Sequence, residues 1–129
     1  MSPLHLTLLP GEFSVWRLAP DAPLPSIKSG NFLSVTHTDD ELSIVTESMN
    51  VPTGATSEDD WRCLKVEGHL AFEMTGVLAG LSAPLAHAAI PIFVVSTYDT
   101  DYLLVKGGDL ERTRMTLRDE GFVVDFERK

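Results

Sequence analysis

Two short apolar runs, Ile92-Phe93-Val94-Val95 and Tyr102-Leu103-Leu104-Val105, stand on either side of a polar hexapeptide, Ser96-Thr97-Tyr98-Asp99-Thr100-Asp101. Each run is too short for a helix and rich in branched and aromatic residues, which suits a buried strand. The polar link between them predicts a hairpin. A chain that holds such a hairpin must build a sheet around it, because an isolated hairpin is marginal in water. Asp99 and Asp101 fall where a turn can present carboxylates to a small cationic group. The same two residues also suit the turn itself.

The rest of the pattern supplies that sheet. Strands are expected at 4–9 and 13–18 around the turn pair Pro10-Gly11, and at 32–36 and 42–46 around His37-Thr38-Asp39-Asp40-Glu41. Pro20, Pro23 and Pro25 interrupt regular structure, leaving at most a helical turn at 26–29. Residues 50–60, with Pro52, Gly54, Ser57 and three acids, read as a loop or linker. A strand is expected at 61–67. A helix follows at 73–89, with Val77, Leu78, Leu81, Leu85 and Ala88 on one face. After the hairpin, Asp109 is placed to N-cap a second helix that turns Leu110, Thr113 and Leu117 inward and stops at Gly121. Phe122, Val124 and Phe126 alternate with polar or smaller neighbours as a last half-buried strand. From Trp61 the order is therefore β-α-β-β-α-β, an α+β, ferredoxin-like arrangement with an antiparallel sheet and both helices on one face.

Residues 32–45 align without a gap on 92–105, with Val35/Val95, Asp39/Asp99 and Val45/Val105 identical. Shared pattern and shared turn chemistry point to a duplicated unit. The first copy is incomplete, since no strong helical pattern precedes Phe32. The expected division is an incomplete N-terminal unit at 1–58 and a complete one at 59–129.

Composition narrows the function. The net charge of −9 opposes nucleic acid and anionic membrane surfaces as partners. A single cysteine, Cys63, allows no internal disulfide, and no signal-peptide pattern opens the chain, so a cytoplasmic setting is expected. His5, His37, His69 and His87 are scattered without metal-ligand spacing, so no metal site is expected. The acidic clusters at 39–41 and 58–60 read as solvated loops. Cys63 is expected to be buried and inert, and Trp16 and Trp61 to be core or interface residues. Neither a nucleophile elbow nor a glycine-rich phosphate loop is present, so catalysis has no support and no cofactor is expected.

The ordered set of segments resembles the ACT domain family. The carrying residues are Phe32-Leu33-Ser34-Val35-Thr36 with Asp40-Glu41-Leu42-Ser43-Ile44-Val45, then Leu64-Lys65-Val66-Glu67-Gly68, Thr75-Gly76-Val77-Leu78 and Ala83-Pro84-Leu85-Ala86, and finally Ile90-Pro91-Ile92 through the hairpin to Val105. The likeness covers about residues 13–127 and is most specific in the hairpin. It is similar to small proteins of two fused ACT domains, to the regulatory domains of aspartate kinase and to the cytosolic arginine sensor of the animal growth-control pathway. The resemblance implies a non-enzymatic sensor that binds a small metabolite, an amino acid in most members, where the first strand-to-helix connection meets a neighbouring ACT unit. Carried over, it implies Gly68, His69, Leu70, Met74, Thr75, Gly76, Val77, Thr97, Tyr98 and Asp101 as ligand-binding residues. Met74 stands where the arginine sensor has an acid, although Glu73 is adjacent, so a guanidinium ligand is not implied.

The same residues carry a physical reading. Gly76 is expected in the first turn of the 73–89 helix, where free N–H groups attract a ligand carboxylate. Asp101 can accept a charge-assisted hydrogen bond from an α-ammonium group. An amino acid would bridge the two. Gly68 and Gly76 serve equally well as turn and packing glycines, and Met74 as a packing residue. Gly76, Gly80, Ala83 and His87 form a stripe opposite the apolar face of the helix, which predicts a homodimer. The alternative to a sensor is an interaction or oligomerisation module, such as the free-standing regulatory subunit of a partner enzyme, with no ligand of its own.

Overall fold

The structure is a computed structural model that describes residues 4–28, 30–67 and 76–126. Eight strands and two helices are described: β1 (His5–Leu8), β2 (Phe13–Leu18), β3 (Ser34–His37), β4 (Leu42–Glu47), β5 (Thr56–Val66), α1 (Val77–His87), β6 (Ile92–Ser96), β7 (Asp101–Lys106), α2 (Leu110–Asp119) and β8 (Val123–Phe126). Short 3-10 turns at Ser48–Asn50 and Gly107–Asp109 follow β4 and β7. The fold class is α+β, with the β-α-β-β-α-β order running from β5 to β8. Packing divides the chain into one unit of Gly11–Trp61 and another of Met1–Pro10 with Arg62–Lys129, which differs from the expected division after residue 58. Strand β5 supplies pairing residues to both.

In the C-terminal unit the strand order is β6-β7-β5-β1-β8. Strand β1 lies antiparallel to β5, with Leu6 opposite Val66 and Leu8 opposite Leu64, and parallel to β8. It therefore separates the first and last strands of the β-α-β-β-α-β set. Alternation turns Leu6, Leu8, Leu64, Val66, Leu103 and Val105 to one face, where they form a core with Leu81 and Leu85 of α1 and Leu117 of α2. Both helices thus cover that face, as expected. Each fully buried leucine contributes about 1.5–3 kcal/mol relative to exposure. Leu78 was expected inward but is 36% exposed: it shares the face of Leu81 and Leu85 but lies in the first turn of α1. Phe126 was also expected inward, yet at the end of β8 it is 69% exposed.

The second helix corrects one expectation. Asp109 precedes α2 without a side-chain cap bond. Its carboxylate instead accepts from Arg112 Nη2 at 2.9 Å, and its carbonyl accepts from Thr113 Oγ1 at 2.8 Å. A preceding 3-10 turn gives Asp109 φ near −99° and ψ near 0°, outside the extended conformation that side-chain capping uses. Gly121 ends the helix as expected. At φ +93° it lets Phe122 N–H reach the Leu117 carbonyl at 3.0 Å.

In the N-terminal unit the order is β3-β4-β2-β5. Among the described residues no α-helix lies between its strands; Trp16, Leu42 and Ile44 are covered instead by Leu18, Ile27, Val51 and Ala55. Residues 26–28 form no helical turn. Side chains fasten the segment that replaces it: Asn50 bonds the backbone of Lys28 in both directions, and Glu47 Oε2 accepts from Asn31 N–H at 2.7 Å. Residues 56–60 were expected in a loop but begin β5. Their carboxylates did not prevent it, since Glu58, Asp59 and Asp60 remain exposed on the strand. A bulge between Phe13 and Val15 accommodates Asp59 and Asp60, and Asp60 adopts φ +69°.

The repeat is present, but one residue out of the gapless alignment. His37 pairs with Leu42 at the mouth of one hairpin and Ser96 with Asp101 at the other. The structural offset is thus 59 residues, and Ile44, Val45 and Thr46 correspond to Leu103, Leu104 and Val105, all buried. The 3-10 turns at 48–50 and 107–109 keep the same offset. A gapless alignment displaced by one residue matches side chains from opposite faces of a strand.

Candidate functional site

The β6–β7 hairpin lies in the C-terminal unit and is closed by Thr97 and Thr100. Thr97 N–H and Oγ1 both donate to the Thr100 carbonyl, at 2.8 and 3.0 Å, and Thr100 N–H donates back to Thr97 Oγ1 at 3.3 Å. A threonine opening a four-residue turn can do this because its hydroxyl stands in for a backbone group.

Thr100 also fastens the turn to β5. Its side chain is buried, and Oγ1 donates to the Val66 carbonyl at 2.7 Å. Glu67 N–H bonds the His5 carbonyl, so alternation directs the backbone groups of Val66 away from β1, toward β7. Thr100 lies just before β7 begins and supplies the donor which that carbonyl needs. The turn is thereby held at the point where the chain leaves β5 for residues 68–75 and α1.

Of the residues singled out in the sequence, Gly68, His69, Leu70, Met74 and Thr75 lie outside the described residues, as do 73–75 of the expected helix. Asp101 opens β7, where its Oδ1 accepts from Ser96 Oγ at 2.6 Å across the hairpin mouth. That bond fixes one carboxylate oxygen. Thr97 and Tyr98 are exposed in the turn, Tyr98 by 74%. Gly76 corrects its expected place: it is the N-cap of α1, with φ +84°, and its carbonyl accepts from Gly80 N–H at 2.8 Å. A side chain at this φ is strained even though nothing lies within 4 Å of the Cβ position. Val77, the first helical residue, packs partly onto the core. Glu67 does not offer a free carboxylate, because Thr7 Oγ1 donates to its Oε2 at 2.5 Å and Lys65 Nζ lies 3.7 Å from Oε1.

Sequence reading missed Ser96 and Thr100. The signal available was the Thr-x-x-Thr spacing of the turn, which gives the second threonine a hydroxyl where the other hairpin has Glu41. Cys63, Trp16 and Trp61 are buried, as expected. Among the described residues no group of three His, Cys, Asp or Glu could hold a metal ion, and no helix is long and apolar enough to cross a membrane. The stripe Gly80, Ala83 and His87 forms, with Pro84 and with Thr116 and Asp119 of α2, a groove of about 620 Å³ along the seam of the two helices.

Comparison with known proteins places this geometry. The ACT domain family model matches residues 56–119, and a model of an N-terminal domain matches residues 11–54. The crystal structure of protein Atu0741 from Agrobacterium tumefaciens superposes with a TM-score of 0.92 at 37% identity, over 100% of this chain and 97% of that one. The human protein CASTOR3P is 30% identical over 102 residues, 69% of this chain and 63% of the human protein, so the match spans under two thirds of that relative. The regulatory subunit of aspartate kinase from Thermus thermophilus, in its ligand-free form, superposes with a TM-score of 0.58 over 85% of this chain and 93% of that one; at 8% identity the likeness concerns the fold alone.

Proposed function

From the premise that the chain belongs to the family of the Agrobacterium protein and carries an ACT domain over residues 56–119, we propose that it is a non-enzymatic regulatory sensor for a small metabolite, an amino acid. The supporting observation is the Thr100–Val66 hydrogen bond, which brings the hairpin turn to the end of β5. The ligand would lie between that turn and the start of α1, against a neighbouring ACT unit. Asp101 would receive the α-ammonium group on the oxygen that Ser96 leaves open. Backbone N–H groups near Gly76 and Val77 would receive the carboxylate, with Gly68, His69, Leu70, Met74, Thr75, Thr97 and Tyr98 around it. Binding would act by population shift, favouring the docked arrangement that the ligand bridges.

The neighbouring unit belongs to a second copy in this reading. The groove along α1 and α2, with its small-residue wall, allows the close approach that a homodimer needs. The order β3-β4-β2-β5 in the N-terminal unit repeats the order β6-β7-β5 with an outer strand in the other, which supports two fused ACT units, the first without an α-helix among its described residues. A cytoplasmic setting and a partner enzyme that reads the sensor complete the proposal. The small-residue groove also supports the second reading, a module that only oligomerises or docks onto an enzyme.

A thermal-shift screen with each of the twenty amino acids decides between them. A true ligand at a hundredfold excess over its Kd adds about 2.7 kcal/mol to the folded state. A flat response to all twenty would sink the sensor and leave the docking module.

A further inference from the structure

The free edge of the N-terminal unit is its least guarded surface. Strand β3 ends the order β3-β4-β2-β5. Thr38 N–H bonds the Glu41 carbonyl at 2.9 Å, so bonding pairs alternate back from the turn: Thr36 and Ser34 face β4, while the backbone groups of Val35 and His37 aim outward. The strand, Ser-Val-Thr-His, has no lysine, proline or bulge of the kind that ordinarily protects an edge. Its apolar side is exposed as well, Leu33 by 53% and Val35 by 41%. Val35 pairs with Ile44, so these two residues continue the Trp16–Leu42–Ile44 face outward. The corresponding edge strand β6 is better covered, since Ile92, Phe93, Val94 and Val95 are all partly buried.

Charge selects the occupant. Residues 11–61 hold nine carboxylates against two cations, Arg17 and Lys28, a net of −7; all other residues hold ten against eight, a net of −2. A second copy pairing edge to edge would set −7 against −7. The polar side of the edge, Ser34 and Thr36, continues through Ser43 of β4, with Glu41 at the turn; inward from there, Arg17 and Glu58 line a shallow groove of about 180 Å³ with Glu41 and Ser43. An added strand would therefore meet apolar residues on one side, and on the other hydroxyls with Glu41 beyond them, in a unit of net charge −7.

We propose that β3 is a docking edge for an extended, basic segment of a partner protein, which adds as a strand with apolar residues beside Leu33 and Val35 and lysine or arginine residues on the Glu41 side. Main-chain hydrogen bonds to Val35 and His37 hold the segment, and alternate side chains select it. This surface is separate from the proposed ligand site, so it stands or falls independently of the sensor reading.

The test is an amide NMR titration of the full chain with a capped hexapeptide of alternating lysine and valine. Saturable shifts are expected at residues 33–37 and in β4, weakening as salt is raised, with none from the peptide that carries glutamate in place of lysine. Val35→Pro should weaken binding at least about tenfold, because it removes an outward N–H and leaves the β4 ladder intact. Should Val35→Pro disturb the amides of β4, Val35→Lys keeps the backbone and must lose the peptide by the same margin. Shifts confined to the acidic segments 39–41 and 58–60, or unaltered binding by these variants, would overturn the proposal. Broadening of residues 33–37 with protein concentration alone would overturn it in favour of a second copy.

Discussion

The two hairpins of this chain share a turn and differ in what the turn is fastened to. In β3–β4, Thr38 N–H and Oγ1 reach the Glu41 carbonyl, and Asp40 and Glu41 N–H return to Thr38 Oγ1. In β6–β7, Thr97 and Thr100 do the same. Each hairpin leads through a strand with three consecutive buried residues into a 3-10 turn. At the last turn position, however, one hairpin has Thr100, whose hydroxyl reaches into β5, and the other has Glu41, which cannot donate. At the mouth, Asp101 faces Ser96, where the first hairpin sets Leu42 against His37. Beyond the 3-10 turn, one hairpin gains α2 and a large core while the other gains only an irregular cover. The same local device therefore serves as an edge in one unit and as an anchored turn in the other.

The largest expected effect tests the cores behind the hairpins. Leu103 and Ile44 are structural equivalents, and both are essentially fully buried. Leu103 belongs to a core of ten buried residues under two helices, Ile44 to one of three. Truncating either to alanine should cost about 2–5 kcal/mol, with Leu103→Ala at the upper end because a rigid surround collapses less into the cavity. Urea unfolding of the two variants measures this. A larger loss for Ile44→Ala would reverse the ranking of the two units.

The second test concerns the mouths. Asp101→Asn keeps the shape and the acceptor for Ser96 but removes the charge. If Asp101 holds an ammonium group, affinity for the amino acid found in the screen should fall by about 1.5–3 kcal/mol, tenfold or more in Kd. Isothermal titration and a melting curve on the same sample separate the two roles. Loss of stability with unaltered affinity would make Asp101 a structural residue, as the buried Leu42 is in the other hairpin. Gly76→Val is a poor companion to this test, since φ +84° strains any side chain and would lower stability for backbone reasons.

The anchor comes third. Thr100→Val leaves the Val66 carbonyl without its donor, which should cost about 1–3 kcal/mol. Thr100→Ser should restore most of it. At the equivalent position Glu41→Gln should stay within about 0.5 kcal/mol. Equal losses at both positions would mean that the anchor adds nothing to the shared turn.

Much of this was legible in the sequence. Element type follows from periodicity, and the boundaries of β2 and β6–β7 were close to those found. The failures have physical causes. Strand β1 is joined by a short turn to β2 and was expected with it in the N-terminal unit, yet Leu6 and Leu8 complete the core beneath the helices. The acids of 58–60 looked like a loop, but a strand with a solvated face tolerates them, and a bulge absorbed the irregularity. The one-residue error in the repeat arose because identical Val and Asp pairs outweighed the pleat, which only pairing can reveal. Asp109 looked like a cap until the 3-10 turn altered its backbone. The candidate site was legible as a hairpin with carboxylates; the anchor of its turn was not, because a hydrogen bond from Thr100 to Val66 spans 34 residues and leaves no local pattern.

The smallest expected effect lies on α2, the element that follows only one of the hairpins. Arg114 Nε donates to Glu111 Oε2 at 3.2 Å, and Arg114 Nη2 is bonded to Oε1. This hydrogen bonding, followed by the attraction of Arg114 and Arg118, holds the Glu111 carboxyl below its usual range. A depressed carboxyl pKa gives a contribution that is present above the unfolded value and disappears as the pH falls through the folded one. The pair is on an exposed helix surface, so its effect on stability should be slight and screened by salt. The shift itself is the better observable. A carbon-detected carboxyl titration should show Glu111 with a lower midpoint than an unpaired glutamate, and Arg114→Gln should raise it. The midpoint should also rise with salt. If Arg114→Gln leaves it in place, the shift comes from Arg118 or from the start of the helix rather than from the pair, and α2 owes its order to Leu117 and Thr113 beneath it instead of to its charged face.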